Sequence, residues 1–544
     1  MSKKTFNLLL LVILILGGLA RLSSLHRYPA GFTPDEADFG YNAYSLLLTG
    51  KDEWGTPAWA LFYQNLRSFG DYKLPLYAFL AVPTVRIWGL NEMATRLPNA
   101  VFGTLAIAGV CLLAQQLFHH RRLSLLAAFM FAVSPWSISL SRGAFESNLV
   151  TFFLPLAIYL YMRSRYSLSA VFFALDIYTY HSARLITPFI LLALFIFYRP
   201  KLTRSLIIGL VVFCLLSLPA VISYTGAGQS RLSDVSLLNP TDNWSGVADR
   251  RFQDAQAGLP DVVSRVFSNK LTTLFQQSAD NYLSYLSPQF LFIQGAGEAT
   301  YGMIPGRGVL YLVEGVFLIL ALFRLIRHPV RPLLFVLTLL LLGPLPATFA
   351  KGLGFSANRA ATMLPFLILL LAFGWSYLLD LSGRYLTAVT LLIFAVYLVQ
   401  VSFFAEDYLY HAPRLNAPAM SYGWAEAVRR FKPISGQYSL IKISRSLSEP
   451  QIFIAFYWPI PPADYQAASR SWSDFNLKGY RFLDQYDGYH LGDFRFGNLN
   501  PADSISVPTL YIGKPDEFPP KFPYYFQIFS PTGLPAIQVS GRQP

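Results

Sequence analysis

Two adjacent carboxylates, Asp35 and Glu36, follow the first apolar stretch of the chain in the run Thr33-Pro-Asp-Glu-Ala. Only 13% of the 544 residues are charged, so a paired acid beside an apolar segment stands out. Such a pair can act as a general base toward a hydroxyl. The same residues also satisfy a purely structural rule. Thr33 is a good N-cap, Pro34 suits the first helical position, and Glu36 falls three residues after Thr33 to close a capping box. A carboxylate held at a helix N-terminus is oriented by the local dipole, so capping and chemistry are compatible.

Other polar groups recur beside apolar runs. Phe69-Gly-Asp71-Tyr72-Lys73-Leu-Pro-Leu-Tyr77 brings an acid, a cation and two phenols to the start of an apolar segment. Interfacial anchoring accounts for a lone Lys and Tyr there. Ser141-Arg142-Gly-Ala-Phe-Glu146 sets Arg142 and Glu146 four apart, a helical ion-pair spacing in the weaker order. Tyr178-Thr-Tyr180-His181-Ser-Ala-Arg184 is too polar to face lipid and should face a cavity. Asn358-Arg359 caps the outer end of a further apolar stretch, 360–379. Arginine and lysine bind phosphate oxygens by charge-assisted hydrogen bonds. A cluster of Lys73, Arg142, Arg184, Arg359 and His181 beside Asp35, Glu36 and Glu146 therefore suits an anionic headgroup next to a base.

The elements that must position these groups are membrane helices. The chain is 54% hydrophobic and 16% aromatic, with a mean hydropathy of +0.40, which excludes an ordinary soluble domain. Apolar spans at 5–22, 98–118, 124–140, 148–162, 167–181, 185–198, 205–223, 309–326, 332–349, 360–379 and 385–403 predict eleven crossings. Lys3 and Lys4 precede the first, which reads as an uncleaved helix because Arg21-Leu22-Ser23 is no cleavage site. Alternate loops carry Arg121 and Arg122, Arg163 and Arg165, Arg199, Lys201 and Arg204, Arg324, Arg327 and Arg331, and Arg384. That bias puts the N-terminus inside. All the candidate residues, the long segments 23–97 and 224–308, and residues 404–544 then fall outside the membrane on its outer face.

The net charge of +13 belongs almost wholly to the inner loops, since residues 404–544 hold 13 Lys and Arg against 12 Asp and Glu. It is a topology signal, and nucleic acid is not an expected partner. Cys111 and Cys214 both lie in apolar spans, which leaves no disulfide framework. Residues 35–49 and 73–89 read as interfacial helices, and the loop 224–308 as short amphipathic helices over a cavity. Beyond 403, a helix at 425–431 and strand-like runs at 438–443, 509–512 and 525–529 predict a small α/β domain. The fold expected is thus mainly α, a polytopic helical membrane module over 1–403 followed by an extracytoplasmic α/β domain over 404–544.

Several motifs in order carry a resemblance. Phe32-Thr-Pro-Asp35-Glu36-Ala, Gly40-Tyr-Asn-Ala-Tyr, Gly50-Lys-Asp-Glu-Trp-Gly, Gly70-Asp-Tyr-Lys73-Leu-Pro-Leu-Tyr, Asn91-Glu-Met-Ala-Thr-Arg96-Leu-Pro and Ser141-Arg142-Gly-Ala-Phe-Glu146 together resemble the GT-C glycosyltransferases. The nearest branch is the protein O-mannosyltransferase and aminoarabinose-transferase group, and the likeness covers about residues 1–400. It implies inverting transfer of a sugar from a polyprenyl-phosphate carrier to a hydroxyl of protein, lipid or glycan on the extracytoplasmic face, in a bacterial inner membrane. By that resemblance Asp35 is the base with Glu36 beside it, Glu146 is the second-loop acid, and Lys73, Tyr180, His181, Arg184 and Arg359 attend the carrier phosphate. Asp71 and Arg142 are supporting residues.

Leu74 stands where the family's Lys-Pro-Pro motif has its first proline, and Tyr72 where the aminoarabinose transferases carry a glutamate. No cofactor is required, and although the loop acids could take a divalent metal, none is predicted. Two alternatives remain at this level. One is an O-antigen or oligosaccharide ligase with a pyrophosphate-linked donor. The other is a lipid or polysaccharide transporter, which would place its polar residues near mid-bilayer and show a repeat.

Overall fold

The computed structural model describes residues 1–70, 72–223, 237, 244–351, 354–472, 475, 480, 482–502 and 506–543. Among these the chain is mainly helical, with one small sheet near its C-terminal end. Six helices are long and apolar enough to cross a membrane, seven when a bent pair is counted as one span.

Each expected crossing coincides with helix. In chain order the helices are α1 (Lys3–Leu22), α2 (Pro34–Thr49), α3 (Leu76–Trp88), α4 (Glu92–Phe118), α5 (Arg121–Val133), α6 (Pro135–Arg142), α7 (Val150–Met162), α8 (Tyr166–Asp176), α9 (His181–Phe197) and α10 (Arg204–Ile222). After the loop come α11 (Ser245–Gln256), α12 (Asp261–Phe267), α13 (Lys270–Leu286), α14 (Leu312–Arg327), α15 (Arg331–Leu342), α16 (Leu364–Leu381) and α17 (Leu386–Glu406). The stretch expected as a single crossing at 124–140 is broken, with α5 and α6 meeting at 53°. Pro135 has no N–H to continue the ladder, and Ser134 Oγ accepts from Ser137 N to start the new helix. Helices α7, α8 and α9 are shorter than a full span. The turn before α7 and the break between α8 and α9 are where the motifs at 141–146 and 178–184 sit.

In the segment expected to be loop helices, α11, α12 and α13 form, and residues 224–236 and 238–243 lie outside the described residues. The amphipathic α13 docks one face, burying Tyr285 and Asn281, whose Nδ2 donates to the Thr348 and Ala350 carbonyls at 3.2 Å.

The C-terminal part contains α18 (Trp424–Phe431), α19 (Pro450–Tyr457), α20 (Pro462–Trp472) and a six-stranded sheet. Two short strands, β1 (Leu66–Arg67) and β2 (Tyr72–Lys73), pair in the first loop. The sheet comprises β3 (Leu440–Ser444), β4 (Tyr489–Leu491), β5 (Phe494–Gly497), β6 (Thr509–Gly513), β7 (Phe526–Phe529) and β8 (Pro535–Arg542), in the order β4-β5-β3-β6-β8-β7. β3 runs parallel to β5 and β6, and the outer pairings are antiparallel.

This unit sits directly on the first loop. Helix α2, expected to lie along a membrane interface, instead packs its Ala37 and Tyr41 into an aromatic layer from the C-terminal part. Phe32 and Phe456 rings lie 4.9 Å apart, Tyr41 and Tyr465 5.1 Å, and the Tyr41 hydroxyl donates to the Ile460 carbonyl at 2.9 Å. Protein aromatics cover the stripe more completely than headgroups would.

Candidate active site

Helix α2 begins as its sequence dictates. Thr33 accepts from Glu36 N, Glu36 reaches back to Thr33 N, and Pro34 opens the first turn. Three acids then project from one and a half turns, Asp35, Glu36 and Asp38, and their environments diverge.

Glu36 is fully buried. Its Oε1 accepts from Arg96 Nε at 2.7 Å and from Ala144 N at 2.9 Å, and its Oε2 accepts from Arg96 Nη2 at 3.1 Å. The remaining Arg96 donors go to the carbonyls of Leu25, Pro29 and Gly31. Glu36 is therefore a clamp joining the first loop to the turn that carries Glu146. Both of its oxygens are committed, unlike those of a base open to substrate.

Asp35 differs, with a side chain 43% exposed. Its Oδ1 lies 2.7 Å from Lys73 Nζ, and the same ammonium lies 2.9 Å from the buried Asp38 Oδ2. Lys73 is delivered by the β1–β2 ribbon and lies against the Phe39 and Phe69 rings at 5.1 and 4.7 Å. Burial works to lower the lysine's affinity for its proton, but Asp35 and Asp38 outweigh it and hold Lys73 charged above its ordinary range.

A second tier of acids lies behind this lysine. Burial raises Asp38, against the pull of Lys73. Glu53 is pushed well above the usual carboxylate range by burial and then by Asp38 and Asp52. Asp52 is raised to about 6, chiefly by burial, while its Oδ1 accepts from Trp54 N and Thr56 N. Glu449, at the start of α19, is likewise buried and raised well above its usual range, by burial first and Asp484 next. It feels both Lys73 and Asp35. Its Oε2 accepts from Gln451 Nε2 at 2.8 Å, and Gln451 Oε1 accepts from the Tyr489 hydroxyl at 2.7 Å. Sequence reading missed Asp38, Asp52, Glu53 and Glu449. Asp38 adjoins the run 33–37 and Asp52-Glu53 lie in Gly50-Lys-Asp-Glu-Trp-Gly, but nothing local marks an acid as buried.

Glu146 opens a short turn after α6 that is held by Asn99, whose Nδ2 donates to the Leu140 and Gly143 carbonyls. The neighbouring Ser147 hydroxyl bonds to Asn358 Oδ1, and Asn358 Nδ2 donates to the Tyr180 hydroxyl at 3.3 Å. His181 Nε2 is 3.0 Å from the Tyr72 carbonyl, one residue from Lys73. Tyr301 stands among these groups. Burial raises its phenol well above the ordinary range, and Asp35, Tyr180, Glu298 and Glu146 add to the shift. The structure thus brings Asp35, Lys73, Glu146, Tyr180 and His181 to one end of the bundle.

Other candidates are occupied by the protein. Arg184 donates to the Ile177 carbonyl, Ser223 Oγ and Asn65 Oδ1. Arg359 Nη1 donates to the Lys351 carbonyl at 3.0 Å. Arg142 places Nη1 and Nη2 on the Ala20 and Ser23 carbonyls at 2.6 and 2.7 Å, tying down the end of α1. Asp71 lies outside the described residues. Among the described residues, one group with metal-ligand spacing is Glu406, Asp407 and His411. Its atoms are already paired, Asp407 with Arg307 and Glu406 Oε1 with His411 Nε2 at 2.9 Å.

Arranged this way, the site sets a half-exposed carboxylate, Asp35, beside a buried, charged lysine, on a helix whose other face packs into the aromatic layer of the C-terminal part. Residues 73–224 match the family model for dolichyl-phosphate-mannose-protein mannosyltransferases. The resemblance drawn from the motifs is therefore found independently, over the segment that begins at Lys73. No curated protein matches the chain. Among solved structures, ArnT from Cupriavidus metallidurans bound to undecaprenyl phosphate superposes with a TM-score of 0.53 at 12% identity, covering 100% of both chains. The Archaeoglobus fulgidus oligosaccharyltransferase complexed with zinc and sulfate gives 0.48 at 14% identity, covering 93% of this chain and 68% of that one. The ArnT likeness is one of fold, and it establishes the GT-C architecture expected from the sequence.

Proposed function

We propose that the chain is an integral-membrane, inverting glycosyltransferase that moves a sugar from a polyprenyl-phosphate carrier to a hydroxyl acceptor on the extracytoplasmic face. The observation that carries this reading is the Asp35–Lys73–Asp38 triplet. Of the acids on the first turns of α2, Asp35 presents its carboxylate outward, while Lys73 holds it from behind at 2.7 Å. Support from outside the chain is the family match over 73–224 and the shared fold with ArnT, a protein solved bound to undecaprenyl phosphate.

In this reading Asp35 takes the proton of the acceptor hydroxyl as its oxygen attacks the anomeric carbon, and the bond between that carbon and the phosphate oxygen breaks. The electron pair leaves with the carrier phosphate. In this reading the fixed positive charge of Lys73, 2.7 Å from Asp35, stabilises the negative charge that grows on that phosphate. On the same reading Arg184, Arg359 and His181 attend the carrier phosphate, and Tyr180 and Tyr301 stand near Asp35 and Glu146. Glu146 is the acid positioned to orient the acceptor, and Glu36 and Arg142 hold the loops together. Residues 404–544 form the domain that closes the site from outside.

The decisive experiment supplies membranes containing the full chain with a polyprenyl-phosphate sugar. Asp35→Asn is expected to reduce transfer by about 100-fold or more with an unchanged melting temperature. Undiminished transfer would remove Asp35 from the chemistry. A pyrophosphate-linked donor accepted in place of the monophosphate would replace this reading by a ligase.

A further inference from the structure

Helix α9 begins at the site, where His181 meets Tyr72, and its 17 residues carry the chain about 25 Å to the opposite end of the bundle. There the link to α10, the turn between α7 and α8, the end of α4 and the start of α15 surround a cavity of about 1100 Å³. Arg199, Lys201 and Arg331 line it together with His119, and among the described residues no carboxylate does. None of the three cations has an acidic partner among the described residues. Arginines and lysines are common on this face as topology signals, but these are arranged around something more specific.

Three independent features converge. The Tyr198 hydroxyl is buried with no hydrogen-bond partner, on a ring that carries the Arg331 guanidinium 5.3 Å from its centre. An orphaned buried hydroxyl costs free energy unless a ligand or water supplies its partner. The N-termini of α10 and α15 both open on the cavity, and the positive ends of the two helix dipoles add to the field there. Beyond the cavity, α9 and α10 present Phe195, Ile196, Ile207 and Val211 outward, each about half exposed, as an apolar wall for acyl chains. A basic pocket continuous with a lipid-facing wall is the chemistry of a lipid headgroup site.

We propose that this cavity binds the phosphate headgroup of an anionic membrane lipid, on the face opposite the transfer site. The phosphate lies between Arg199, Lys201 and Arg331 and accepts the Tyr198 hydroxyl. The site is separate from Asp35 and Lys73, so it does not depend on the transfer reaction proposed above.

The test uses the full chain in nanodiscs and phenylglyoxal labelling of arginine. In phosphatidylcholine alone, Arg199 and Arg331 should label as fast as Arg163 and Arg165, which are exposed on the same face but do not line the cavity. With phosphatidylglycerol, or with polyprenyl phosphate doped into phosphatidylcholine, labelling of Arg199 and Arg331 should slow at least fivefold while that of the two controls slows less than twofold. The dopant that protects identifies the source as bulk phospholipid or carrier lipid. Equal slowing of all four arginines, or none, would overturn the proposal. Native mass spectrometry gives a second measure. Arg199→Gln/Lys201→Gln/Arg331→Gln should weaken retention of the protecting lipid by roughly 100-fold, and Tyr198→Phe, which keeps every charge, by severalfold. Unchanged retention in Tyr198→Phe and in the triple variant would equally defeat it.

Discussion

Arg96 Nε donates to Glu36 Oε1 over 2.7 Å, and both side chains are completely shielded from solvent. The pair spans 60 residues of sequence and, through Ala144 N, reaches the second loop as well. Removing one partner leaves a buried charge unpaired, which costs about 3–5 kcal/mol. Glu36→Ala or Arg96→Ala should therefore lower the melting temperature in detergent sharply. A Glu36→Ala protein that melts normally but transfers no sugar would instead make Glu36 part of the chemistry.

The lysine between two carboxylates separates stability from activity. Lys73→Ala strands Asp38 in the interior and should destabilise by a similar 3–5 kcal/mol. Adding Asp38→Asn removes the stranded charge, so the double variant should regain most of the lost melting temperature and none of the transfer. Recovery of transfer in the double variant would show that Lys73 serves only the fold.

A pH dependence follows from the acids behind Lys73. Asp52 is raised from 3.8 to about 6, so between about pH 4 and 6 the folded chain binds more protons than the unfolded one. Stability from this group is present below pH 4 and is lost as pH rises to 6, by about 3 kcal/mol at most. Glu53 and Asp38 shift in the same direction. Asp52→Asn keeps an oxygen for the Trp54 and Thr56 N–H groups and should flatten this slope in melts from pH 4 to 7. An unaltered slope would mean that Asp52 does not titrate in this range.

Gly40 reports on how closely α2 is gripped. A Cβ there would lie 2.4 Å from Thr95 Oγ1 and 2.6 Å from Phe456 Cε2. Gly40→Ala must part α2 from α4 or α19, at about 1–3 kcal/mol. Faster proteolytic release of the C-terminal part is the expected signature, and wild-type protease resistance would show that the contact yields without consequence.

The membrane helices were legible because an apolar run of about 20 residues has few other uses, and the capping box at Thr33 could be read from four residues. What escaped was set by contacts distant in sequence. The sequence marks Glu36 as the capping partner of Thr33, but only contacts with Arg96 and Ala144 N, distant in the chain, commit both of its oxygens while Asp35 stays half-exposed. Arg142 looked like a member of an anion site because the carbonyls of Ala20 and Ser23 that it satisfies carry no mark in the sequence. Strands β4 and β5, of three and four residues, are too short for alternation to show, and they exist because β3 offers β5 an edge and β5 in turn pairs with β4. The burial of Glu449 beside Lys73 depends on the docking of a domain 376 positions further along the chain.

That docking has a consequence for the order of events in biosynthesis. Tyr41 bonds to Ile460, Gln466 Nε2 reaches Ser45, Thr49 and Asp52, Leu483 N donates to the Phe69 carbonyl, and Phe32 N donates to the Met420 carbonyl. Segments separated by some 400 residues must meet before the first loop has its final partners, and closing so long a loop comes late in folding. On the proposed reading, a chain emerging from the ribosome would thread its helices into the bilayer with its catalytic loop still unclosed. It would become a working transferase only once its last quarter had crossed and folded back, so an interrupted chain would be inserted yet silent.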